Sequence, residues 1–96
     1  MAKEASLEHR IKRYAESKGC LFWKFVSPGT TGVPDRVIIS PRGATAFLEI
    51  KAPGCRPRAI QDHRMQQLRA QGVAATWVSD YRVAVGFIDS LCTPKR

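Results

Sequence analysis

Apolar residues recur at helical intervals in the first part of the chain. The members of this stripe are Leu7, Ile11, Tyr14 and Ala15. Such spacing places one apolar face along a helix, so we predict a helix over residues 3–18, ended by Gly19 as a C-terminal cap. Glu8 lies one turn from Ile11 and flanks the apolar face, where it either stays solvated or borders the core.

Three runs of β-branched and apolar residues follow, and Pro- and Gly-containing segments separate them. They cover residues 20–26, 32–39 and 44–51, and each is predicted to contain a strand. The turn at residues 40–43 is short enough for a hairpin between the second and third strands. The segment 27–32 is rich in Gly and small hydroxyl residues and directly precedes Asp35, so it is predicted to border a functional site.

The second half of the chain repeats helix, strand and helix. A helix over residues 58–71 is predicted to end at Gly72, a near-continuous apolar strand covers 73–78, and Ser79 or Asp80 is placed to cap a last helix. The stripe of the middle helix consists of Gln61, Met65 and Leu68. The core residues predicted for the last helix are Val83, Phe87 and Leu91, with Ala84 and Ile88 beside them.

These elements predict an α/β domain with the order α-β-β-β-α-β-α. An antiparallel hairpin followed by a strand after a helical crossover gives a mixed central sheet flanked by helices on both faces. The 96 residues suffice for one modest core, so we predict a single domain over residues 1–96, with its core at about 3–91 and a frayed basic tail.

Charged residues cluster at one end of the predicted hairpin. Glu49 and Lys51 alternate with Ile50 and therefore share a face of the third strand. Asp35 opens the neighbouring strand and can lie across from them. Two carboxylates, with the Ile50 carbonyl, suit Mg²⁺, which takes oxygen ligands and keeps several waters. The alternative for Glu49 and Lys51 alone is a solvated ion pair.

The sequence around these residues resembles a known nuclease motif. Pro34-Asp35, thirteen intervening residues, and then Glu49-Ile50-Lys51 look like the PD-(D/E)XK nuclease signature. A longer pattern resembles the virus-type replication-repair nuclease (VRR-Nuc) family in its small stand-alone form. It consists of segments 32–36 and 47–54 followed by Gln61 and Leu68. The match runs over about residues 7–88.

The resemblance implies a restriction-endonuclease-like fold and assigns roles to particular residues. Asp35, Glu49, Lys51 and Gln61 are the expected catalytic residues. The expected metal ligands are Glu8, Asp35, Glu49 and the Ile50 carbonyl, with Glu8 acting directly or through water. Lys51 is expected to position or deprotonate a water, or to stabilise the phosphorane. Gln61 bonds either to the site or to a loop.

Composition agrees with a polyanionic partner. The net charge is +8 and the pI about 10.0, which favours nucleic acid over a small-molecule substrate or a membrane surface. Candidate phosphate contacts are Lys24, Arg36, Arg56 and Arg58. For Lys24 the alternative is a side chain whose stem packs at the strand end while its ammonium stays in water.

The remaining sequence features indicate an intracellular setting. Cys20, Cys55 and Cys92 are odd in number and widely spaced, which fits neither a zinc site nor a disulfide framework and predicts free thiols. No apolar window is long enough for a transmembrane helix, and no signal peptide is apparent. We therefore expect a cytoplasmic protein, and the resemblance suggests a phage or prophage setting in a bacterial host.

The expected function is a Mg²⁺-dependent, structure-selective DNA endonuclease in which Mn²⁺ can substitute. Stand-alone members of the family resembled are associated with homodimers that resolve four-way (Holliday) junctions, so we expect a homodimer with a branched DNA substrate. Two alternatives stay open. One is a non-catalytic basic nucleic-acid-binding module on the same fold, and the other is an assembly domain of a larger machine.

Overall fold

The structure, a computed structural model, describes the backbone of residues 2–94 and the side chains of residues 3–94. The predicted element order is confirmed. The elements are α1 (Ala2–Ser17), β1 (Leu21–Lys24), β2 (Arg36–Ile39), β3 (Thr45–Ile50), α2 (Ala59–Ala70), β4 (Ala74–Val78) and α3 (Tyr81–Cys92). Lys95 and Arg96, the end of the predicted basic tail, lie outside the described residues. In the part of the chain that is described, no helix is both long and apolar enough to cross a membrane.

The four strands form one mixed sheet in the order β1-β2-β3-β4. The first three pair antiparallel, with Trp23 opposite Val37 and Val37 opposite Phe47. After the crossover through α2, β4 pairs parallel with β3, so that Glu49 lies beside Trp77. The mixed sheet with helices on both faces is confirmed.

The main core lies between the sheet and the helices α1 and α3. Complete burial of one Leu or Ile side chain stabilises a fold by about 1.5–3 kcal/mol, so this face holds the three elements together. Tyr14 also donates a hydrogen bond of 2.5 Å to Asp89, which links α1 to α3. The buried core residues are Leu7, Ile11, Ala15, Cys20, Phe22, Ile38, Ala46, Leu48, Ile50, Val78, Ala84, Ile88 and Leu91.

Helix α2 covers the opposite face of the sheet next to β4. Met65 is completely buried, and Gln61, one turn earlier, reaches the Glu49 side chain from this face. Arg69 donates to the Ala75 carbonyl at 2.8 Å and fastens the end of α2 to β4. The helix leaves β1 uncovered, so Leu21 and Trp23 stay exposed.

Two predictions about extent and packing need correction. The first strand is shorter than residues 20–26, because Val26 lies in the following loop and is exposed. Val83 was predicted to pack in the core, yet it is 59% exposed, whereas Ala84 is fully buried. Both residues lie on apolar stripes of α3, and the smaller Ala84 side chain permits closer approach to α1.

The three cysteines are free thiols, as predicted. The fold nevertheless brings two distant ones together, since the Cys20 and Cys92 sulfurs lie 3.5 Å apart. Burial, and after it the contact with Cys92, raise the pKa of Cys20 to about 11. Cys20 is therefore protonated at neutral pH.

Gly32 holds the loop before Asp35 against α2 and provides a test of the packing there. Its φ of +84° favours glycine, and a Cβ would lie 2.8 Å from Ile60 Cγ1 and 3.0 Å from the Ile60 carbonyl oxygen. Gly29 has a φ of +82° with nothing within 4 Å. Gly29→Ala should therefore cost only the backbone strain, about 1–2 kcal/mol.

Gly32→Ala should cost that strain and about 1–3 kcal/mol more for the overlap with Ile60. Denaturant unfolding of both variants measures the difference. Equal losses of stability would contradict the close contact between the loop and α2.

Candidate active site

The pairing of β2 with β3 brings the two carboxylates of the motif together. Arg36 pairs with Leu48, so one residue further along the same register Asp35 stands opposite Glu49. Opposite residues in an antiparallel pair project from the same face of the sheet. Asp35 is therefore beside Glu49, on the face that α2 covers. The side chain of Asp35 is 52% exposed and that of Glu49 only 9% exposed.

Glu49 is held by two neighbours within the protein. The Lys51 ammonium lies 3.5 Å from Glu49 Oε2, and Gln61 Nε2 donates to the same oxygen at 3.3 Å. Both contacts follow from the fold: Glu49 and Lys51 alternate along one strand, and Gln61 lies in the first turn of α2. The structure thus brings together Asp35, Glu49, Lys51 and Gln61.

Gln61 makes both of the contacts that were predicted as alternatives, one to the site and one to the loop before α2. Its Oε1 accepts a hydrogen bond of 2.8 Å from the Arg58 backbone N–H, and its Nε2 donates to Glu49. The Gln61 amide therefore accepts from the backbone N–H at the beginning of α2 and also orients the Glu49 carboxylate. Both ends of the buried amide have partners, as buried polar groups require.

The electrostatics of the site disfavour charge on Glu49. Burial raises the pKa of Glu49, and the nearby Asp35 carboxylate raises it further, while Lys51 lowers it. The net effect is a raised pKa, so the Lys51 ammonium does not compensate the charges of the two carboxylates. A cation that binds between them would relieve this repulsion.

That imbalance predicts how stability changes with pH. Folded Glu49 binds its proton more tightly than an unfolded glutamate, whose pKa is about 4.5, so its contribution to stability falls as the pH rises from 4.5 through the raised folded value. Glu49→Gln removes the negative charge that burial and Asp35 disfavour.

Without metal, the Glu49→Gln variant should melt at a higher temperature than wild type at pH 7, and the difference should shrink toward pH 4. Thermal unfolding of both proteins across this range measures the effect. A variant that melts below wild type at pH 7 would show that the Lys51 pairing dominates instead.

Glu8 reaches the site through Arg36 rather than directly. Arg36 Nε donates to Glu8 Oε2 at 3.1 Å, and its Nη2 contacts the same oxygen. Arg36 Nη1 also donates to the Asp35 carbonyl at 2.9 Å and lies 3.5 Å from Asp35 Oδ2. The Arg36 side chain is only 12% exposed. It is therefore a bridge between α1 and Asp35, and its predicted phosphate contact stays a prediction.

The donor set fits Mg²⁺ with few protein ligands. Within residues 3–94, no three His, Cys, Asp or Glu side chains form a metal-binding group, so Glu8 is not clustered with Asp35 and Glu49. Two oxygen-donor carboxylates that repel each other match an ion that prefers oxygen and retains several waters. Direct ligation by Glu8, or by the Ile50 carbonyl at the end of β3, stays a prediction.

The other predicted DNA contacts lie at the surface of the protein. Lys24 is exposed at the end of β1, and Arg56 and Arg58 are exposed in the loop that joins Lys51 to α2. Arg64, for which no role was predicted, donates from its Nε to the Thr31 carbonyl at 2.8 Å. This bond ties the Gly-rich loop to α2.

Trp77 is a further neighbour of the site that the motif did not indicate. It lies beside Glu49 in the parallel pairing of β3 with β4, and the two side chains project from the same face. Only the register of β4 could have predicted this position, and that register depends on the crossover through α2.

A mixed α/β sheet that carries Asp35, Glu49 and Lys51 at one end defines a nuclease of the PD-(D/E)XK class. A solved structure described as "VRR_NUC domain" matches with a TM-score of 0.83 and 27% identity, covering 91% of this chain and 95% of that chain. A "VRR_NUC domain protein" matches at a TM-score of 0.72 and 20% identity, covering 93% of this chain and 87% of that one, and shows the shared fold.

A phage protein is similar to this chain in sequence as well. "Putative nuclease p44" of Acyrthosiphon pisum secondary endosymbiont phage 1 is 39% identical over 72 residues, which are 75% of this chain and 77% of that protein. No protein-family model matches the sequence. Together with the shared fold, this relative shows that the chain belongs to the VRR-Nuc family of nucleases.

Proposed function

We propose that this protein is a Mg²⁺-dependent endonuclease that hydrolyses phosphodiester bonds in branched DNA. The observation that carries the proposal is the joint placement of Asp35 and Glu49 with the Lys51 ammonium 3.5 Å from Glu49. A solvated ion pair would not require Glu49 to be buried or to receive a second bond from Gln61.

The carboxylates would hold the metal, and the remaining groups would prepare the site. Mg²⁺ bound there would supply charge stabilisation on the phosphate and a lower pKa for the attacking water. Asp35 is exposed enough to meet substrate, whereas Glu49 is fixed from two sides. The bridge from Glu8 through Arg36 orients the segment at Asp35.

Lys51 is the residue that distinguishes catalysis from metal binding. Its side chain is 18% exposed and its ammonium lies beside Glu49, so the ammonium can face a phosphate bound at the carboxylates. From there it would position or deprotonate the water, or stabilise negative charge on the phosphorane. Either role requires the amine and not only the length of the side chain.

The surface charge supports DNA as the partner. A net charge of +8 on 96 residues gives salt-dependent affinity for phosphate that does not depend on sequence. Arg56 and Arg58 lie in the loop that leads from the site and would contact the strand next to the cut. Lys24 would contact phosphate at the end of β1.

A homodimer would place two such sites on opposing strands of a four-way junction. The edge strand β1 exposes Leu21 and Trp23, at 45% and 56%, and Val26 follows at 69%. An exposed apolar edge of this kind favours association between copies of the chain. A twofold dimer matches the symmetry of a junction.

Sedimentation and cleavage test this arrangement together. At micromolar concentration we expect twice the chain mass of 10.7 kDa, and preferential cleavage of four-way junctions over linear duplex by paired cuts in opposing strands. Trp23→Glu should shift the mass toward one chain. A wild-type monomer, or equal cleavage of junction and duplex, would contradict junction resolution and leave a general nuclease.

A further inference from the structure

A small cavity opens on the face of the sheet from which Glu49 projects. Its volume is about 190 Å³, and its walls come from the loop after Lys51, the first turn of α2 and β4. Trp77, one of these walls, is the parallel partner of Glu49. Neighbouring strands lie about 4.8 Å apart, so the cavity is one strand away from Glu49. The lining residues are Arg56, Pro57, Ala59, Asp62 and Trp77.

The lining chemistry suits a nucleobase and not a phosphate. The Asp62 carboxylate would repel a phosphate, whereas it can accept a hydrogen bond from an amino group on a base. Asp62 Oδ2 accepts from Gln66 at 3.2 Å, and a carboxylate has acceptor capacity beyond one bond. The half-buried Trp77 ring provides a stacking surface, and the exposed Arg56 can neutralise the phosphate of the same nucleotide.

The α2 helix couples this cavity to the site. Asp62 directly follows Gln61, whose side chain bonds both Glu49 and the Arg58 backbone. A base seated against Asp62 and Trp77 would therefore fix its own strand relative to the carboxylates. Bases within a duplex are already stacked on both sides, so only an unpaired or extruded base can enter.

We infer that the cavity lined by Trp77 and Asp62 takes one unpaired nucleobase of the strand that is cut, and so selects DNA with an unpaired nucleotide at a branch or bulge. This inference rests on the proposed endonuclease function and adds a residue-level source of its structure selectivity. The base stacks on Trp77, and its amino group donates to Asp62. Adenine, cytosine and guanine carry an exocyclic amino group, whereas thymine does not.

Tryptophan fluorescence reports occupation of the cavity without cleavage. Trp23→Phe leaves Trp77 as the single tryptophan, and the reciprocal Trp77→Phe leaves Trp23. With chelator present, each protein is titrated with a duplex carrying one bulged adenine, with the same duplex carrying an abasic bulge, and with a fully paired duplex.

We expect the bulged adenine alone to quench Trp77, and no DNA to quench Trp23 in this base-dependent way. Equal quenching of Trp77 by the abasic bulge would overturn the inference.

Affinities measured on the same DNAs provide the second test. Stacking on an aromatic ring is worth about 1–3 kcal/mol per base, so Trp77→Leu should weaken binding to the adenine bulge about 5- to 150-fold. Its affinity for paired duplex should stay within about twofold, which also shows that the variant is folded. Unchanged affinity for the bulge would overturn the inference.

Asp62→Ala tests the choice of base. Wild type should bind bulged adenine or cytosine more tightly than bulged thymine, and the variant should lose that preference while it still binds bulges. A preference that survives in Asp62→Ala would contradict the role of the carboxylate.

The outcome for the cavity can be separated from the outcome for the enzyme. A wild-type protein that cuts DNA with Mg²⁺, but in which Trp77→Leu changes neither bulge binding nor quenching, would overturn only the cavity inference. A wild-type protein that binds none of the three DNAs would overturn the endonuclease function and the cavity inference with it.

Discussion

Asp35→Asn should reduce DNA cleavage by at least about a thousandfold, because a metal ligand at a phosphate contributes several kcal/mol of charge stabilisation and each 1.36 kcal/mol is tenfold in rate. The substitution removes one charge and almost no volume. Asp35 is 52% exposed, so the fold should tolerate the change. Initial rates on labelled branched DNA measure the loss.

The accompanying measurements separate chemistry from binding. Without metal, the affinity of Asp35→Asn for DNA should not fall, since a negative charge near phosphate is gone. Asp80→Asn is a matched control, because Asp80 caps α3 by accepting from the Val83 N–H and asparagine caps equally well. Near-normal cleavage by Asp35→Asn would overturn the assignment of the site.

Lys51→Met should slow cleavage by about a hundred- to ten-thousandfold, the range expected for a group that moves a proton or stabilises transition-state charge. Methionine keeps much of the aliphatic stem and removes the ammonium that lies 3.5 Å from Glu49. Binding of Mg²⁺ or Mn²⁺ should survive, because both carboxylates remain. Turnover and calorimetric metal binding on one preparation measure the two effects.

The competing interpretation of Lys51 predicts a different result. A structural ion pair would change stability by at most about 1 kcal/mol and leave the rate unchanged. Lys12→Met is a charge-matched control, since Lys12 is exposed on α1. A Lys51→Met variant that cleaves like Lys12→Met would remove Lys51 from the mechanism.

The element order and the carboxylate pair could be predicted because local patterns determine them. Alternation alone places Glu49 and Lys51 on one face, and a four-residue turn leaves little freedom in how Asp35 meets Glu49. The apolar stripe of α1 likewise determined which residues are buried. These features depend on neighbours in sequence or on one hairpin.

Features that depend on how distant elements pack together could not be predicted from the sequence. On α3 the predicted core residue Val83 is exposed while Leu91 is buried as predicted, because either Val83 or Ala84 could face the core until α1 was in place. Arg36 joins Glu8 to Asp35, a pair of contacts that the local pattern did not indicate. The position of Trp77 beside Glu49 follows from the β4 register. Each requires contacts between residues that are remote along the chain.

Cleavage of labelled DNA with and without metal tests the central claim most directly. Wild type and Asp35→Asn are incubated with duplex, flap, nicked and four-way-junction DNA, in Mg²⁺, in Mn²⁺ and in chelator. We predict products only from wild type with metal, and most from branched DNA. Tight DNA binding by wild type without any product, or equal products in chelator, would contradict a metal-dependent endonuclease and indicate a binding module or a different chemistry.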